Sequence, residues 1–210
     1  MPFLHVLKYY AYTVNKLNGG IFMAIKIFID QGHNPRNPNA GAEGNGLYEQ
    51  DITYEVGVLL SELLEADPNF EVKLSRNSPD EILGTTIAES LRTRAQAANN
   101  WGADAFISIH ANASTIESAS GSEGYAYSRE SGGFALGEDI LEQMTAITGL
   151  ENRGMFVRPS LYVLRRTKMP AVLIELGFIT NPSDAALMGE EPDLFARGMY
   201  NGIKEYYGVS

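Results

Sequence analysis

The sequence predicts an α/β sandwich, a single domain in which helices flank a largely parallel central sheet of about six strands. Two observations point there. Short apolar runs rich in β-branched residues alternate along the chain with longer segments of helical periodicity, the order expected when parallel strands are joined by crossover helices. Runs such as AVLIELGFI (171–179) are also apolar at nearly every position, as strands buried on both faces are. No internal repeat, low-complexity tract or linker marks a second domain, and 210 residues with 44% hydrophobic content can bury one substantial core.

The elements follow in order. Residues 1–22 are aromatic and mildly basic, and Tyr12, Asn15 and Asn18 interrupt their apolar character, so the segment reads as an N-terminal extension and not as a secretory signal. The folded domain is expected over 23–210. AIKIFID (24–30) is a buried strand that feeds a Gly/Asn/Pro loop, QGHNPRNPN. Ile52, Val56, Leu59, Leu60, Leu63 and Leu64 recur at helical spacing and predict a helix from Glu49 that stops before Asp67 and Pro68. FEVKLS (70–75) is the next strand, Ser90 to Trp101 a second helix stopped by Gly102, and Ala105 to Ile109 a strand that ends on His110. EGYAYS (123–128) reads as a strand and Phe134 to Thr148 as a helix ending near Gly149. After the strand at 171–179, Asn181 caps a helix with Pro182 at its first position, and residues 190–207 supply the last helix.

Composition narrows the function. The 26 acidic against 16 basic residues leave a formal charge of −10, which argues against a nucleic-acid partner. No apolar run approaches the roughly 20 residues that span a bilayer. Without cysteine, any metal must sit on His, Asp or Glu.

Four polar residues stand where the pattern calls for other types. His33 follows FID, His110 follows FISI and Glu175 follows VLI, all at the carboxyl ends of strands, where open α/β sheets bind their ligands. Glu175 lies among Val172, Leu173, Ile174, Leu176 and Phe178, where an unpaired carboxylate costs several kcal/mol. Glu49 precedes Ile52 by three and Val56 by seven residues, which puts it on the buried stripe and in the first turn, where the helix dipole favours an anion. His33, Glu49 and His110 together make a His/Glu/His set that leaves a fourth zinc position open. Three of the four also have a plainer reading: a polar strand cap for His110, a first-turn glutamate for Glu49, a structural ion pair for Glu175. No H-E-x-x-H is present, and Arg36 stands where a His-x-x-Glu pattern starting at His33 would need a carboxylate. A glycosidase pair of Glu49 and Glu175 is a second enzymatic reading, but it leaves both histidines unexplained.

IDQGHNP, GLYEQDITYEVGVLLSELLE, LRTRAQAANNWGADAFISIHANAS, NRG with LYVLR, and MPAVLIELGFITNP occur in that order over residues 24–207. Together they resemble the zinc-dependent N-acetylmuramoyl-L-alanine amidases of bacterial cell walls and their phages, autolysins and endolysins among them. The resemblance implies that His33, Glu49 and His110 hold one Zn2+ per chain and that Glu175 is the catalytic general base and acid. It also places Asn112, Arg94 and Arg153 near the substrate. The implied substrate is peptidoglycan, cut between N-acetylmuramic acid and the L-alanine of the stem peptide, with action at the cell wall and a monomer as the expected state. A wall-binding module with a dead amidase fold is the non-catalytic alternative, and the presence of all four site residues weighs against it. Some relatives plug the zinc site with a helix between the SIHAN and ELGF motifs; here that interval shows one helical pattern, 134–148, which a core helix explains.

Overall fold

In the computed structural model, which describes residues 23–209, the first strand, β1 (Ile25–Gln31), forms where the β-branched run predicts it. The extension expected at residues 1–22 lies outside the described residues. A short hairpin of β2 (Glu43–Gly44) and β3 (Leu47–Tyr48) leads directly into helix α1 (Glu49–Glu65), followed by β4 (Phe70–Leu74) and α2 (Ile87–Trp101). Next come β5 (Ala105–Asn112), β6 (Ser122–Ala126), α3 (Gly132–Thr148), β7 (Asn152–Val157) and α4 (Tyr162–Arg166). The chain closes with β8 (Ala171–Phe178), α5 (Pro182–Glu190) and α6 (Pro192–Tyr207). No helix among the described residues is long and apolar enough to cross a membrane.

Six strands make one sheet in the order β4-β1-β5-β8-β6-β7. The first four run parallel; β6 pairs antiparallel with β8, and β7 runs parallel to β6. This is the largely parallel sheet the sequence predicts, with a reversed pair at one edge. Alternation along each strand separates two cores. Ile27, Ile107 and Ile174 pack with Leu60, Ile140 and Met199 of α1, α3 and α6, whereas Phe28, Phe106 and Leu173 pack with Ala98 and Val163 of α2 and α4 in a smaller cluster. His110 and Glu175, which alternate with Ile109 and Ile174, therefore point to the side of the smaller cluster.

Several boundaries depart from expectation. Helix α2 starts at Ile87, three residues before Ser90, because the Thr86 side chain accepts the Glu89 amide and caps it. Strand β5 does not end on His110 but continues to Asn112, with an irregularity between these residues in its pairing to β8. The sequence reading gave no strand at β7, whose sides are mostly exposed and show no apolar alternation, and no helix at the five-residue α4. Between the SIHAN and ELGF motifs there are accordingly two helices, of which α3 buries Leu136, Ile140, Leu141 and Met144 in the larger core.

Asp184, fully buried in α5, ties the end of β8 to the loop before β6. Its carboxylate accepts the amides of Phe178 (2.9 Å) and Gly121 (3.0 Å) and the hydroxyl of Ser120 (2.6 Å). Asp184→Ala strands those buried donors, each at about 1–3 kcal/mol. Denaturant unfolding of the variant is expected to show a loss of roughly 2–5 kcal/mol.

Candidate active site

The loop after β1 turns sharply to present His33, which adopts a left-handed backbone (φ 66°) that a non-glycine residue keeps only when its surroundings hold it. Arg94 does the holding. Its guanidinium lies 1% exposed beneath the loop, ion-paired with Asp30 at 2.7 Å and donating to the carbonyl of Gln31 (2.5 Å), the carbonyl of His33 and Oδ1 of Asn34 (3.2 Å). Ser108 donates to the other Asp30 oxygen at 2.8 Å. Burial pushes the Asp30 carboxyl up, but Arg94 and these hydrogen bonds outweigh it and hold Asp30 below the usual carboxylate range. Arg94, expected near the substrate, borders the same cavity as His33 and His110, and its donors are engaged within the fold, where they hold the His33 loop in place.

Glu49 opens α1 and is buried at 4% exposure. Oε2 accepts the Ala42 amide (2.8 Å) just before the β2–β3 hairpin, and Oε1 accepts the Ala111 amide (3.1 Å) from β5. The same Oε1 lies 3.0 Å from Nε2 of His33 and 2.9 Å from Nδ1 of His110. Burial raises the Glu49 carboxyl, yet the two imidazoles outweigh that and hold it far below the ordinary range. One ligand atom from each of His33, Glu49 and His110 lies within 4.8 Å of the others. Gly32 allows this approach, since a Cβ there would sit 2.5 Å from the Ile109 carbonyl and 2.6 Å from Cε1 of His110.

Glu175 pairs with His110 across β5 and β8 and with Glu123 across β8 and β6. Its Oε2 is buried without a hydrogen-bond partner among the described residues. Burial pushes its carboxyl up to about 8, with the charges of Glu49 and Glu123 adding to the effect. Glu123 is the residue the sequence reading missed. It accepts from Nδ2 of Asn112 (2.8 Å), from Nε of Arg153 (2.7 Å) and from the Tyr125 hydroxyl. Asn112 and Arg153, expected at the site, therefore meet on one carboxylate beside Glu175. Beside the imidazoles, a cavity of about 130 Å³ is bordered by His33, His110, Asp30 and Arg94 and by apolar residues such as Leu161 and Leu173.

Residues 27–205 match the family model described as N-acetylmuramoyl-L-alanine amidase. The chain belongs to this family. The amidase CwlM of Bacillus licheniformis is 36% identical over 89% of this chain and 70% of its own length, and the endolysin of Bacillus phage SPP1 is 32% identical over 87% of this chain and 66% of its own. The solved catalytic domain of the amidase CwlV from Bacillus (Paenibacillus) polymyxa superposes with a TM-score of 0.78 at 31% identity, covering 89% of this chain and 99% of that one. This amidase is thus a hydrolase of the bond joining N-acetylmuramic acid to L-alanine, and the glycosidase alternative falls away.

The amidase's donor set suits zinc: two imidazoles and one carboxylate, with Nδ1 of His33 buried and unpartnered among the described residues, and no Lys or Arg among them paired with Glu49. The signal for Glu123 was present in EGYAYS, where Glu123 and Tyr125 share one face and Gly124 and Ala126 the other. It is recognisable only once that face is known to adjoin Glu175.

The raised Glu175 carboxyl has a consequence for stability. In the unfolded chain a glutamate ionises near ~4.3. In the fold Glu175 stays protonated to about 8, so its contribution is fully present at low pH and is lost as pH rises through that window. In chelator-treated protein, Glu175→Gln should match the parent's melting temperature near about pH 4 and exceed it near about pH 9. A constant offset between the two proteins would refute the assignment.

Proposed function

We propose that this amidase works through one zinc held by His33, Glu49 and His110, with Glu175 moving the proton. The observation that carries the reading is the convergence of those three ligands beside a buried carboxylate that has no hydrogen-bond partner of its own among the described residues. Bound zinc would polarise the scissile carbonyl and lower the pKa of its water towards about 7.

The chain's own residues divide the remaining work. Glu49 keeps both imidazoles turned to one point while its second oxygen stays on the Ala42 amide. Arg94 fixes the backbone of His33, so the ligand needs no reordering when the site is used. Glu175 accepts the proton of the attacking water at its free carboxylate oxygen and returns it to the departing L-alanine amine. That role needs a carboxylate able to exist in both states near neutral pH, and a group whose ordinary value is raised by burial meets the requirement. Peptidoglycan of the cell wall is the substrate on this reading.

Measured on one preparation, Glu175→Gln should keep its zinc and a native-like melting temperature while turnover falls by roughly 10²–10⁴-fold. His110→Ala should lose metal and activity together. Retained turnover in the glutamine variant, or activity indifferent to chelation, would overturn the mechanism. Digested peptidoglycan should yield new L-alanine amino termini and no new reducing ends.

Gly32→Ala tests the close approach separately from the chemistry. Its new methyl collides with the Ile109 carbonyl and the His110 ring, so zinc affinity measured by chelator competition should fall by about tenfold or more.

A further inference from the structure

The helices α2 and α4 pack with Phe28, Phe106 and Leu173 of β1, β5 and β8, but beyond β8 the same face of the sheet carries side chains that remain partly open. Tyr125 of β6 is half-buried, and Phe156 of β7, in register with it, is 40% exposed with its ring centroid 6.2 Å from that of Tyr125. The guanidinium of Arg158, exposed, lies 5.3 Å from the centre of the Tyr125 ring. Arg153, also exposed, is braced by Glu123 and stacks 5.1 Å over Phe178. In a chain of charge −10, residues 152–168 hold five cationic side chains and no acidic one.

We infer that this platform of Tyr125, Phe156, Arg153 and Arg158 binds the carboxylate-bearing stem peptide on the leaving-group side of the scissile amide. The inference rests on the amidase reading above. Order across the sheet gives the direction: His33 follows β1 and His110 stands on β5, Glu175 lies on β8, and the platform lies on β6, β7 and the residue after β7. The amine that takes the proton from Glu175 is that of L-alanine, so the peptide leads away from the metal ligands over β6 and β7. Strands lie about 4.8 Å apart and an extended peptide advances about 3.4 Å per residue, which brings the second residue of the stem over β6, where Tyr125 and the Arg158 guanidinium beside it stand, and the third towards Phe156 on β7.

Charge selects the peptide over the glycan. Muramic acid bearing a stem peptide has its lactyl carboxyl tied up as an amide and, like N-acetylglucosamine, is neutral; free carboxylates belong to the peptide. Two exposed guanidinium groups each lie over an aromatic ring; Arg153 is already paired with Glu123, which leaves Arg158 to meet a free carboxylate. Glu123 does not oppose this, because Arg153, Asn112 and Tyr125 already satisfy it.

The test compares two soluble muramyl peptides that differ only at the second residue, one a glutamyl residue with a free α-carboxylate and the other its α-amide. The parent enzyme should favour the acid by about tenfold in kcat/KM, and Arg158→Gln should bring the ratio to within about twofold, with Arg158→Lys between them. A parent ratio near one, or an unchanged ratio in Arg158→Gln, overturns the inference. So does a KM unchanged for both peptides in Phe156→Ser, which would show that the ring does not carry the peptide. Calorimetric binding of the same two peptides to Glu175→Gln protein reads the preference without turnover. Failure to cleave either peptide then counts against the catalytic reading, and absence of a binding preference counts against this one.

Discussion

A carboxylate placed in a protein interior must be satisfied, and Glu49 is satisfied from four directions at once. The amide of Ala42 reaches it from the hairpin approach, that of Ala111 from β5, and the imidazoles of His33 and His110 from the loop after β1 and from β5. Because an unpaired buried charge costs several kcal/mol, none of these segments can drift without a penalty. The first turn of α1, the loop after β1 and the middle of the sheet are thereby locked in one arrangement. Gly32 is a condition of that arrangement, since any side chain there would occupy the space of the His110 ring.

Around this point the site's carboxylates are treated unequally. Glu49 is held ionised by two imidazoles, and Glu123 by Arg153 with help from Tyr125 and Asn112, so both stay below the ordinary carboxylate range. Glu175 lies between them with no cationic partner among the described residues and is pushed up to about 8 by its burial and their charges. Pairs of titratable groups driven apart by their environments are what acid–base chemistry at neutral pH requires. The amidase obtains this contrast from three glutamates on neighbouring elements, by giving two of them partners and leaving the third without. Arg94 and Asp30 contribute from below as a mutually neutralised pair that adds rigidity to the His33 loop.

The reversed strand pair at the sheet edge extends the site beyond the chemistry. With β6 antiparallel to β8, Glu123 comes opposite Glu175, and Tyr125 and Phe156 continue the same face outward. Helices α2 and α4 pack over the parallel part of the sheet, whereas Phe156 at the reversed edge remains open. A single topological departure thus supplies both the neighbour of Glu175 and an open aromatic edge on the same face.

His33, Glu49, His110 and Glu175 were legible in the chain because each breaks a local rule: a polar group at the end or in the midst of an apolar strand, or on the buried stripe of a helix. The sheet was legible where strands are buried on both faces, as at 25–31 and 171–178. Strand β7 was not, because its exposed sides show no apolar alternation, and the hold of Arg94 on the His33 loop was not, because its partners Asp30, Gln31 and His33 lie some sixty residues away. By itself the sequence determined which residues avoid water and which polar ones intrude among them, since periodicity and hydrophobicity are properties of neighbouring positions. Only the tertiary structure decided that Glu123 faces Glu175, that Arg94 ties down the His33 loop, and that the Tyr125 face remains open. Those outcomes depend on strand order and on long-range hydrogen bonds, which local periodicity does not encode.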